Sequence, residues 1–237
     1  MRAVVCLPTY NEIENLEPMV RRLLGVLPEN GRVLVIDDGS PDGTGGLADR
    51  LASELPAVSV LHRPRKEGLG RAYIAGFQHA LADGAELVLE MDCDFSHDPA
   101  DVPRLIAATE RADVAIGSRY VAGGGTENWG LLRRLISQGG SLYTRMFLMP
   151  VHDPTSGFKC FRRAVLETID LDAIHSKGYA FQIENVYRAQ RAGFHVVEVP
   201  ITFAERTIGH SKMSRKIVLE AIWKVPALRL AAARGKL

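Results

Sequence analysis

Short apolar runs alternate along the chain with longer segments in which apolar residues recur every three or four positions. The runs are three to five residues long, which is typical of buried strands. They extend from Ala3 to Leu7, Val33 to Ile36, Val58 to Leu61, Leu87 to Leu89 and Val114 to Ile116. Strands that alternate with helices at this spacing predict an α/β fold, with a mostly parallel sheet and helices on both of its faces.

The segments between these runs are predicted to be helices. A capping box of Asn11 and Glu14 is expected to begin the first, ahead of the apolar stripe Leu16, Val20, Leu23, Leu24 and Leu27. Further helices are predicted over about Thr44 to Leu55, Leu69 to Leu81 and Pro99 to Arg111. Asp98 and Pro99 suit the cap and first position of the last of these.

The pattern changes after Gly117. Gly123 to Gly125 predicts a flexible loop, and helices are predicted over Asn128 to Leu148 and Phe181 to Ala192. A strand pair follows at Val196 to Val199 and Ile201 to Phe203. We expect one domain over residues 1–213 and a basic amphipathic C-terminal helix over residues 214–237.

Polar clusters follow three of the predicted strands: Pro8 to Glu12, Asp37 to Ser40 and Asp92 to Asp94. Because the carboxyl ends of parallel strands meet at one edge of a sheet, these clusters are expected to face one crevice. Each cluster alone is also compatible with ordinary turn chemistry. Three together favour a binding site.

Asp92 and Asp94 flank Cys93, so both carboxylates lie on one face of extended backbone. Two such oxygen ligands suit Mg²⁺ or Mn²⁺ shared with a substrate phosphate. The alternative is a solvated turn between a strand and a helix. The first strand lacks the glycine-rich turn of dinucleotide-binding enzymes, and the chain has no P-loop. The acid clusters therefore suggest a nucleotide held through its base and ribose.

Basic residues complete a set that could handle phosphate. Arg119 follows the Val114 strand, and Arg133 and Ser137 share a helix face at i and i+4. Arg206 and Lys212 bracket a glycine-containing segment that could fold over a ligand.

The charge balance gives no case for nucleic acid, since 29 basic and 28 acidic residues leave a net charge of +1. From Lys212 onward, however, seven basic residues stand against Glu220 alone, a net charge of +6. Three scattered cysteines predict neither a zinc site nor disulfides, so a cytoplasmic location is expected. No apolar stretch approaches the roughly 18 to 20 residues of a membrane span, and the first apolar run is too short for a signal peptide.

The tail is predicted to be an interfacial helix. Lys216, Glu220, Lys224 and Arg234 fall in one sector of a helical wheel, and apolar residues fill most of the remainder. A basic helix with a broad apolar face suits an anionic membrane surface. The alternative is that this helix packs on the core or on a second subunit.

Seven motifs in order along the chain resemble the polyprenol-phosphate (dolichol-phosphate) mannose synthases. These are inverting transferases of glycosyltransferase family 2 with the Rossmann-like GT-A fold. The motifs are Pro8-Thr9-Tyr10-Asn11-Glu12, the segment from Ile36 to Thr44, Lys66-x-Gly68-Leu69-Gly70, Met91-Asp92-Cys93-Asp94, Gly117-Ser118-Arg119-Tyr120, Asp153-x-Thr155-Ser156-Gly157-Phe158 and Arg206-x-x-Gly209-x-Ser211-Lys212.

The resemblance implies roles for matching positions. The residues that would hold guanosine are Pro8, Tyr10, Glu12, Ile36 and Asp38. Asp92 and Asp94 would meet the metal and the diphosphate, with Cys93 contributing backbone where the family usually has alanine. Arg206 and Lys212 would close over the diphosphate. The acceptor phosphate would be received by Arg119, Arg133 and Ser137. Ser96 stands where some members have a metal-binding glutamine, which puts a third protein ligand in question.

The implied activity is inverting transfer of mannose from GDP-mannose to a polyprenyl phosphate, with Mg²⁺ or Mn²⁺, on the cytoplasmic face of a membrane. Two alternatives remain open at this point. One is a glucosyltransferase that uses UDP-glucose with the same lipid. The other is a non-catalytic subunit recruited to the membrane by its basic tail. Whether a membrane-protein partner takes part is also open.

Overall fold

The computed structural model describes residues 1–205 and 215–235, the latter up to residue 222 as helical backbone only. Its strands are β1 (Ala3–Thr9), β2 (Arg32–Asp37), β3 (Val58–His62), β4 (Leu87–Glu90), β5 (Val114–Ser118), β6 (Gly125–Thr126), β7 (Lys159–Arg162), β8 (Val196–Pro200) and β9 (Thr202–Phe203). Its helices are α1 (Ile13–Val26), α2 (Thr44–Glu54), α3 (Leu69–Ala82), α4 (Val102–Ala108), α5 (Leu131–Phe147), α6 (Arg163–Thr168), α7 (Gly178–Arg191) and α8 (Arg215–Ala233). The five predicted strands correspond to β1 through β5.

Seven strands form the central sheet in the order β3-β2-β1-β4-β7-β5-β8. All neighbouring pairs are parallel except those of β7, which runs antiparallel between β4 and β5. The sheet is therefore mostly parallel, as expected. Strand β7 was not predicted from the sequence, because its four residues begin with a lysine and lysine is seldom fully buried.

Successive side chains of β1 pack on opposite faces of this sheet, as the strand period requires. Val4 and Cys6 join a core with α3, α6, α7 and α8, whereas Val5 and Leu7 join a core with α1, α2 and α4. The two cores hold the strands rigidly, so the residues that follow each strand are fixed at the carboxyl edge.

The predicted capping box of Asn11 and Glu14 is wrong. Helix α1 is preceded by Glu12 without a side-chain cap, and Asn11 has a φ of +57°. The loop before α2 and the first residue of α2 supply acceptors instead. Ser40 Oγ accepts from the Asn11 N–H at 3.1 Å, and Thr44 Oγ1 accepts from the Glu12 N–H at 3.0 Å. This long-range arrangement joins the ends of β1 and β2.

The cap at Asp98 is confirmed, with Asp98 Oδ1 accepting from the Ala100 N–H at 3.0 Å. The element that follows is shorter than predicted. A 3₁₀ turn over Pro99–Asp101 leads into α4, which ends at Ala108.

Two predictions for the region after Gly117 need correction. The glycine segment is not simply a flexible loop, because Gly125 lies in β6 and a Cβ at Gly124 would come within 2.5 Å of the Ser118 carbonyl oxygen. The two strands near residue 200 do not pair with each other. Strand β8 pairs with β5, and β9 pairs with β6 in a small second sheet.

Helix α8 packs on the domain. Val225 and Leu228 are buried in the same core as α7, and Lys224 Nζ lies 3.6 Å from Glu184 Oε2. Arg229 Nη1 donates to the Phe147 carbonyl oxygen at 2.6 Å. Packing on the core, the alternative raised for the tail, thus applies to this part of α8. Within the described residues, no helix has the length and apolar character needed to cross a membrane. The expected boundary at residues 213 and 214 lies outside the described residues.

Candidate active site

The carboxyl ends of β1, β2, β4 and β5 border a cavity of about 610 Å³. Nine residues predicted from the sequence line it: Pro8, Tyr10, Glu12, Asp38, Asp92, Cys93, Asp94, Arg119 and Arg133. Clusters that are far apart in sequence therefore do share one crevice.

The remaining predicted residues divide into two groups. Ile36 is fully buried in the core and is not part of the cavity wall, and neither is Ser137. The side chain of Ile36 packs in the core shared with α3, and its contact with guanosine stays a prediction. Arg206 and Lys212 lie outside the described residues.

Asp92 is held by a tyrosine hydroxyl. Tyr73 is fully buried and stacks near Phe77 and Phe181, and its hydroxyl donates to Asp92 Oδ1 at 3.1 Å. Burial raises the pKa of Tyr73 well above its ordinary value, and the negative charge of Asp92 adds to this. The phenol therefore remains a hydrogen-bond donor throughout the physiological range.

Asp94 is oriented by the turn that follows it. Its Oδ1 accepts from the Ser96 N–H at 3.0 Å. Phe95 between them has a φ of +58°, a conformation that costs a bulky residue free energy. This turn brings the Ser96 N–H back to the Asp94 carboxylate. Asp94, like Asp92, lines the cavity.

The acid pair fits a cation that keeps several water ligands. No group of three or more His, Cys, Asp or Glu side chains suited to a metal ion occurs in the described part of the chain. Mg²⁺ commonly binds through one or two carboxylates, with water and substrate phosphates completing its coordination. Asp92 and Asp94 suit such a cation. The described part of the chain offers no closed protein site for a metal such as structural zinc.

Asp38 lies on another wall of the cavity, where Arg63 pairs with its Oδ1. Burial raises the pKa of Asp38, and the Arg63 guanidinium opposes the shift. Nearby, Lys66 Nζ lies 3.8 Å from the centre of the Tyr10 ring, a cation–π contact. The neighbouring Asp37 does not line the cavity. It binds Ser40 within its own turn, at 2.6 Å from Oδ1 to Oγ.

Arg119 has a partner that the sequence analysis did not identify. Its Nε and Nη2 donate to the two carboxylate oxygens of Asp153 at 2.7 and 2.6 Å, and Nη2 also donates to Thr155 Oγ1 at 2.9 Å. Burial alone would raise the pKa of Asp153, but the Arg119 guanidinium holds it below its ordinary value. One edge of the guanidinium is thus fixed by a buried carboxylate, and the residue still lines the cavity.

Arg133 and Ser137 do not jointly face the cavity. Arg133 Nη1 donates to Glu205 Oε1 at 2.8 Å, and its guanidinium lies 4.2 Å from the centre of the Trp129 ring. Ser137 Oγ instead accepts from the Tyr120 hydroxyl at 2.5 Å. Of the expected i, i+4 pair, therefore, only Arg133 lines the cavity.

His97, three residues after Asp94, is buried between the rings of Phe158 and Phe203 at 5.0 Å from each. Burial lowers the pKa of His97 to about 4. The imidazole is therefore neutral at physiological pH.

A buried ion pair below the cavity was also missed. Lys159 Nζ donates to Glu90 Oε1 at 2.7 Å, and both side chains are fully buried. Burial raises the pKa of Glu90 and lowers the pKa of Lys159, and each charge opposes the shift in the other. A lysine in an unrecognised strand gave no sequence signal for this pair.

A mostly parallel sheet whose carboxyl edge holds paired acids in a large cavity is typical of GT-A-type glycosyltransferases. The family model described as "Glycosyl transferase family 2" matches residues 4–170. The chain belongs to glycosyl transferase family 2, which confirms the family inferred from its motifs.

Curated relatives are similar over nearly the whole chain. An undecaprenyl-phosphate mannosyltransferase of Micrococcus luteus is 52% identical over 98% of this chain and 96% of its own length. A polyprenol monophosphomannose synthase of Mycolicibacterium smegmatis is 50% identical over 99% and 91%. A dolichol-phosphate mannosyltransferase of Pyrococcus furiosus is 40% identical over 93% of this chain and 61% of its own length.

Solved structures support the fold. Glucosyl-3-phosphoglycerate synthase from Mycobacterium tuberculosis, in complex with Mn²⁺, UDP and glucosyl-3-phosphoglycerate, has a TM-score of 0.65 at 18% identity. The match covers 97% of this chain and 79% of that one. At this identity the similarity shows a shared GT-A fold.

Proposed function

We propose that this protein is a polyprenyl-phosphate mannosyltransferase that uses GDP-mannose as its donor. The observation that carries the proposal is that one cavity combines the acid pair Asp92 and Asp94 with Arg119 and Arg133. Such a cavity can hold two phosphate-bearing substrates at once. The full-length relatives named for mannosyl transfer to undecaprenyl phosphate and for polyprenol monophosphomannose synthesis support the same activity.

The donor would occupy the wall formed by the ends of β1, β2 and β4. Tyr10 and Asp38 would contact its nucleoside, and Arg63 keeps the Asp38 carboxylate in place. Asp92 and Asp94 would hold a divalent cation, Mg²⁺ or Mn²⁺, which supplies charge neutralisation to the diphosphate. Arg206 and Lys212, outside the described residues, are expected to contribute to the same charge.

The acceptor would bring its own nucleophile. A phosphate oxygen is anionic near neutral pH, so the reaction needs positioning more than a strong general base. Arg119 and Arg133 would hold the acceptor phosphate through charge-assisted hydrogen bonds. One of its oxygens then forms a bond to the anomeric carbon while the bond from that carbon to the diphosphate breaks. GDP leaves with the electron pair, and attack from the opposite face inverts the configuration.

Membrane association would place the enzyme beside its lipid substrate, and α5 offers the surface. Its exposed face is apolar: Leu131, Leu132, Leu135, Ile136, Leu142, Met146 and Phe147 are all exposed, with Leu131 at 72%. Its buried residues are the small polar Ser141 and Thr144. A helix of a soluble domain normally has the reverse arrangement. Because α5 also carries Arg133 of the cavity wall, a lipid surface here lies next to the proposed acceptor site.

Helix α8 would extend this surface. It packs against α5 through Arg229, and it exposes Trp223 and Leu230. The exposed Arg134 and Arg145 of α5 add positive charge, which suits anionic lipid. We propose that α5 and α8 together lie on the membrane, with the domain on its cytoplasmic side.

A transfer assay tests the activity directly. The purified full chain is incubated with labelled GDP-mannose, Mg²⁺ and polyprenyl phosphate, and label is measured in the organic phase. Parallel reactions contain UDP-glucose or lack the lipid. Lipid-dependent labelling from GDP-mannose is expected. Labelling from UDP-glucose alone would assign the other donor, and no labelling from either would favour a non-catalytic subunit.

A further inference from the structure

The side chain of Gln182 brings a buried amide nitrogen to the wall of the cavity. Gln182 lies in α7, is 3% exposed and lines the cavity together with Asp92. Among the described residues, its Nε2 atom has no hydrogen-bond partner. An amide nitrogen carries two donors, and leaving them unpaired in a buried place is unfavourable. Such an atom in a binding cavity points to a ligand group that accepts from it.

Lys159 fixes the direction in which this amide faces. The ammonium group has three donors and no acceptor. It donates to Glu90 Oε1, to the Ser156 carbonyl oxygen and to Gln182 Oε1. A reversed amide would set two donors against each other, so the oxygen belongs on Lys159 and Nε2 faces away from it.

Glu90 can satisfy at most one of the two donors on this nitrogen. Its Oε2 atom also lacks a hydrogen-bond partner among the described residues, and the amide contributes to lowering the pKa of Glu90 against the larger effect of burial. A small rotation could bring one N–H of Gln182 to this oxygen. The second N–H would still require an acceptor.

Gly157 leaves a small space between Gln182 and Asp92. A Cβ on Gly157 would lie 3.7 Å from Gln182 Nε2 and 3.6 Å from Asp92 Oδ2. The backbone of Gly157 is not in the positive-φ region, so its conformation does not require glycine. The absent side chain of Gly157 therefore leaves a space in which one ligand group can approach two polar atoms, a donor and an acceptor.

The chemistry of this space selects its occupant. A hydroxyl group can accept from the amide N–H and donate to the carboxylate at the same time. A phosphate oxygen has no proton to donate near neutral pH, so it could pair with the amide but not with the Asp92 carboxylate. We propose that the space is a subsite for one hydroxyl of the hexose carried by the donor, which makes Gln182 a specificity-determining residue for the sugar. This inference rests on the proposed function, because it takes a sugar nucleotide as the donor.

The variant Gly157→Ala tests the subsite without breaking a hydrogen bond. Its methyl group would fill the space at ordinary contact distances, so the protein is expected to fold. Gly25→Ala in α1 is the matched control, since an added Cβ there meets nothing within 4 Å. Calorimetry in Mg²⁺ compares the binding of GDP-mannose and of GDP by the full chain and by both variants, after thermal melting has checked their folding.

We expect Gly157→Ala to weaken GDP-mannose binding by about tenfold or more while GDP binding changes by less than about twofold. Unchanged binding of both ligands would overturn the inference. Equal weakening of both would also overturn it, because the space would then serve the diphosphate or its cation. The Gly25→Ala control is expected to match the wild type.

Monodeoxy analogues of GDP-mannose identify the hydroxyl. One analogue is expected to lose affinity for the wild type and to lose no more in Gly157→Ala, as coupled groups do in a double-mutant cycle. Gln182→Met, which removes Nε2, should show the same selectivity. If every analogue behaves alike in both proteins, the sugar hydroxyls do not use this space.

The transfer assay on the wild type keeps the two proposals apart. If the wild type transfers mannose but Gly157→Ala binds GDP-mannose normally, the subsite is wrong and the proposed function stands. If the wild type transfers glucose instead, the subsite is tested by comparing how the wild type and Gly157→Ala bind UDP-glucose and UDP. If it neither transfers nor binds either donor, both proposals fail.

Discussion

The Tyr73 hydroxyl donates a 3.1 Å hydrogen bond to Asp92 Oδ1 and thereby connects α3 to the acid pair after β4. Tyr73 itself is fully buried between α3 and α7. An outer group of this kind orients a metal-binding carboxylate and tunes its basicity. Asp92 is therefore positioned by the core of the domain rather than by its own loop.

Tyr73→Phe removes this hydrogen bond and keeps the aromatic ring. We expect kcat/KM to fall by about 10-fold to 100-fold and the Mg²⁺ concentration for half-maximal rate to rise. A titration of the transfer rate with Mg²⁺ measures both. Tyr187→Phe, also in the core, is the control and should leave the Mg²⁺ dependence unchanged. A rate loss without any change in Mg²⁺ dependence would show that Tyr73 acts only in packing.

Asp94→Asn tests the charge of the second acid with little change in shape. The amide oxygen can still accept from the Ser96 N–H, so the turn at Phe95 is expected to persist. Losing the carboxylate should cost at least about 3 kcal/mol of transition-state stabilisation, because diphosphate charge is left uncompensated. We expect turnover to be abolished and metal-dependent GDP-mannose binding to be lost. Activity within twofold of the wild type would remove the metal from the mechanism.

Much of this site can be predicted from the sequence alone, because its acids directly follow strands that local patterns predict. Strand ends carry acids at Asp38, Asp92 and Asp94, and the parallel topology brings strand ends together whatever the details of packing. Motif resemblance then added roles that spacing could not supply.

The parts that were missed depend on contacts between distant segments. Asp153 reaches Arg119 across 34 positions, and Lys159 reaches Glu90 across 69. The capping box failed for the same reason, since Thr44 at the start of α2 satisfies the amide of Glu12. No local periodicity records such pairs.

Arg133→Ala should affect the acceptor more than the donor. Arg133 lines the cavity and stacks on Trp129, while its neighbour Arg134 is exposed to solvent. We expect the apparent KM for polyprenyl phosphate to rise about tenfold or more, as loss of a charge-assisted hydrogen bond implies. The affinity for GDP should change by less than twofold. Arg134→Ala is the matched control: it should share any effect of weaker membrane attraction, but it should leave the KM for a short soluble acceptor analogue unchanged. Weakened GDP binding in Arg133→Ala would instead assign this arginine to the donor.

Asp153→Asn should destabilise the protein by about 3–5 kcal/mol, because it leaves the buried charge of Arg119 without its partner. The pH dependence of this difference in unfolding free energy follows from the lowered pKa of Asp153. A carboxylate with a depressed folded-state pKa adds stability above its unfolded pKa of about 3.9, and that stability is lost as pH falls toward the folded value. Urea unfolding should show a constant difference between the proteins from pH 5 to 7 and a smaller one below about pH 4. A difference that grows in acid would contradict the assignment.

The contributions of α5 and α8 to membrane binding can be measured separately. Deleting residues 215–237 would remove the whole tail, but it would also remove Val225 and Leu228 from the core. Point substitutions on exposed side chains avoid this problem. They change what the surface presents and leave the packing of α8 intact.

Replacing Leu131, Leu132 and Leu135 by glutamine removes three large exposed apolar side chains from α5. Fully burying a leucine is worth about 1.5–3 kcal/mol, so even partial insertion of three should matter greatly. We expect sedimentation with anionic liposomes to fall at least tenfold, and transfer to long-chain polyprenyl phosphate to fall more than transfer to a short soluble analogue. GDP binding should be retained. The same sedimentation measurement on Trp223→Gln shows how much α8 contributes to liposome binding. If the triple variant sediments like the wild type while Trp223→Gln does not, α8 alone holds the protein on the membrane.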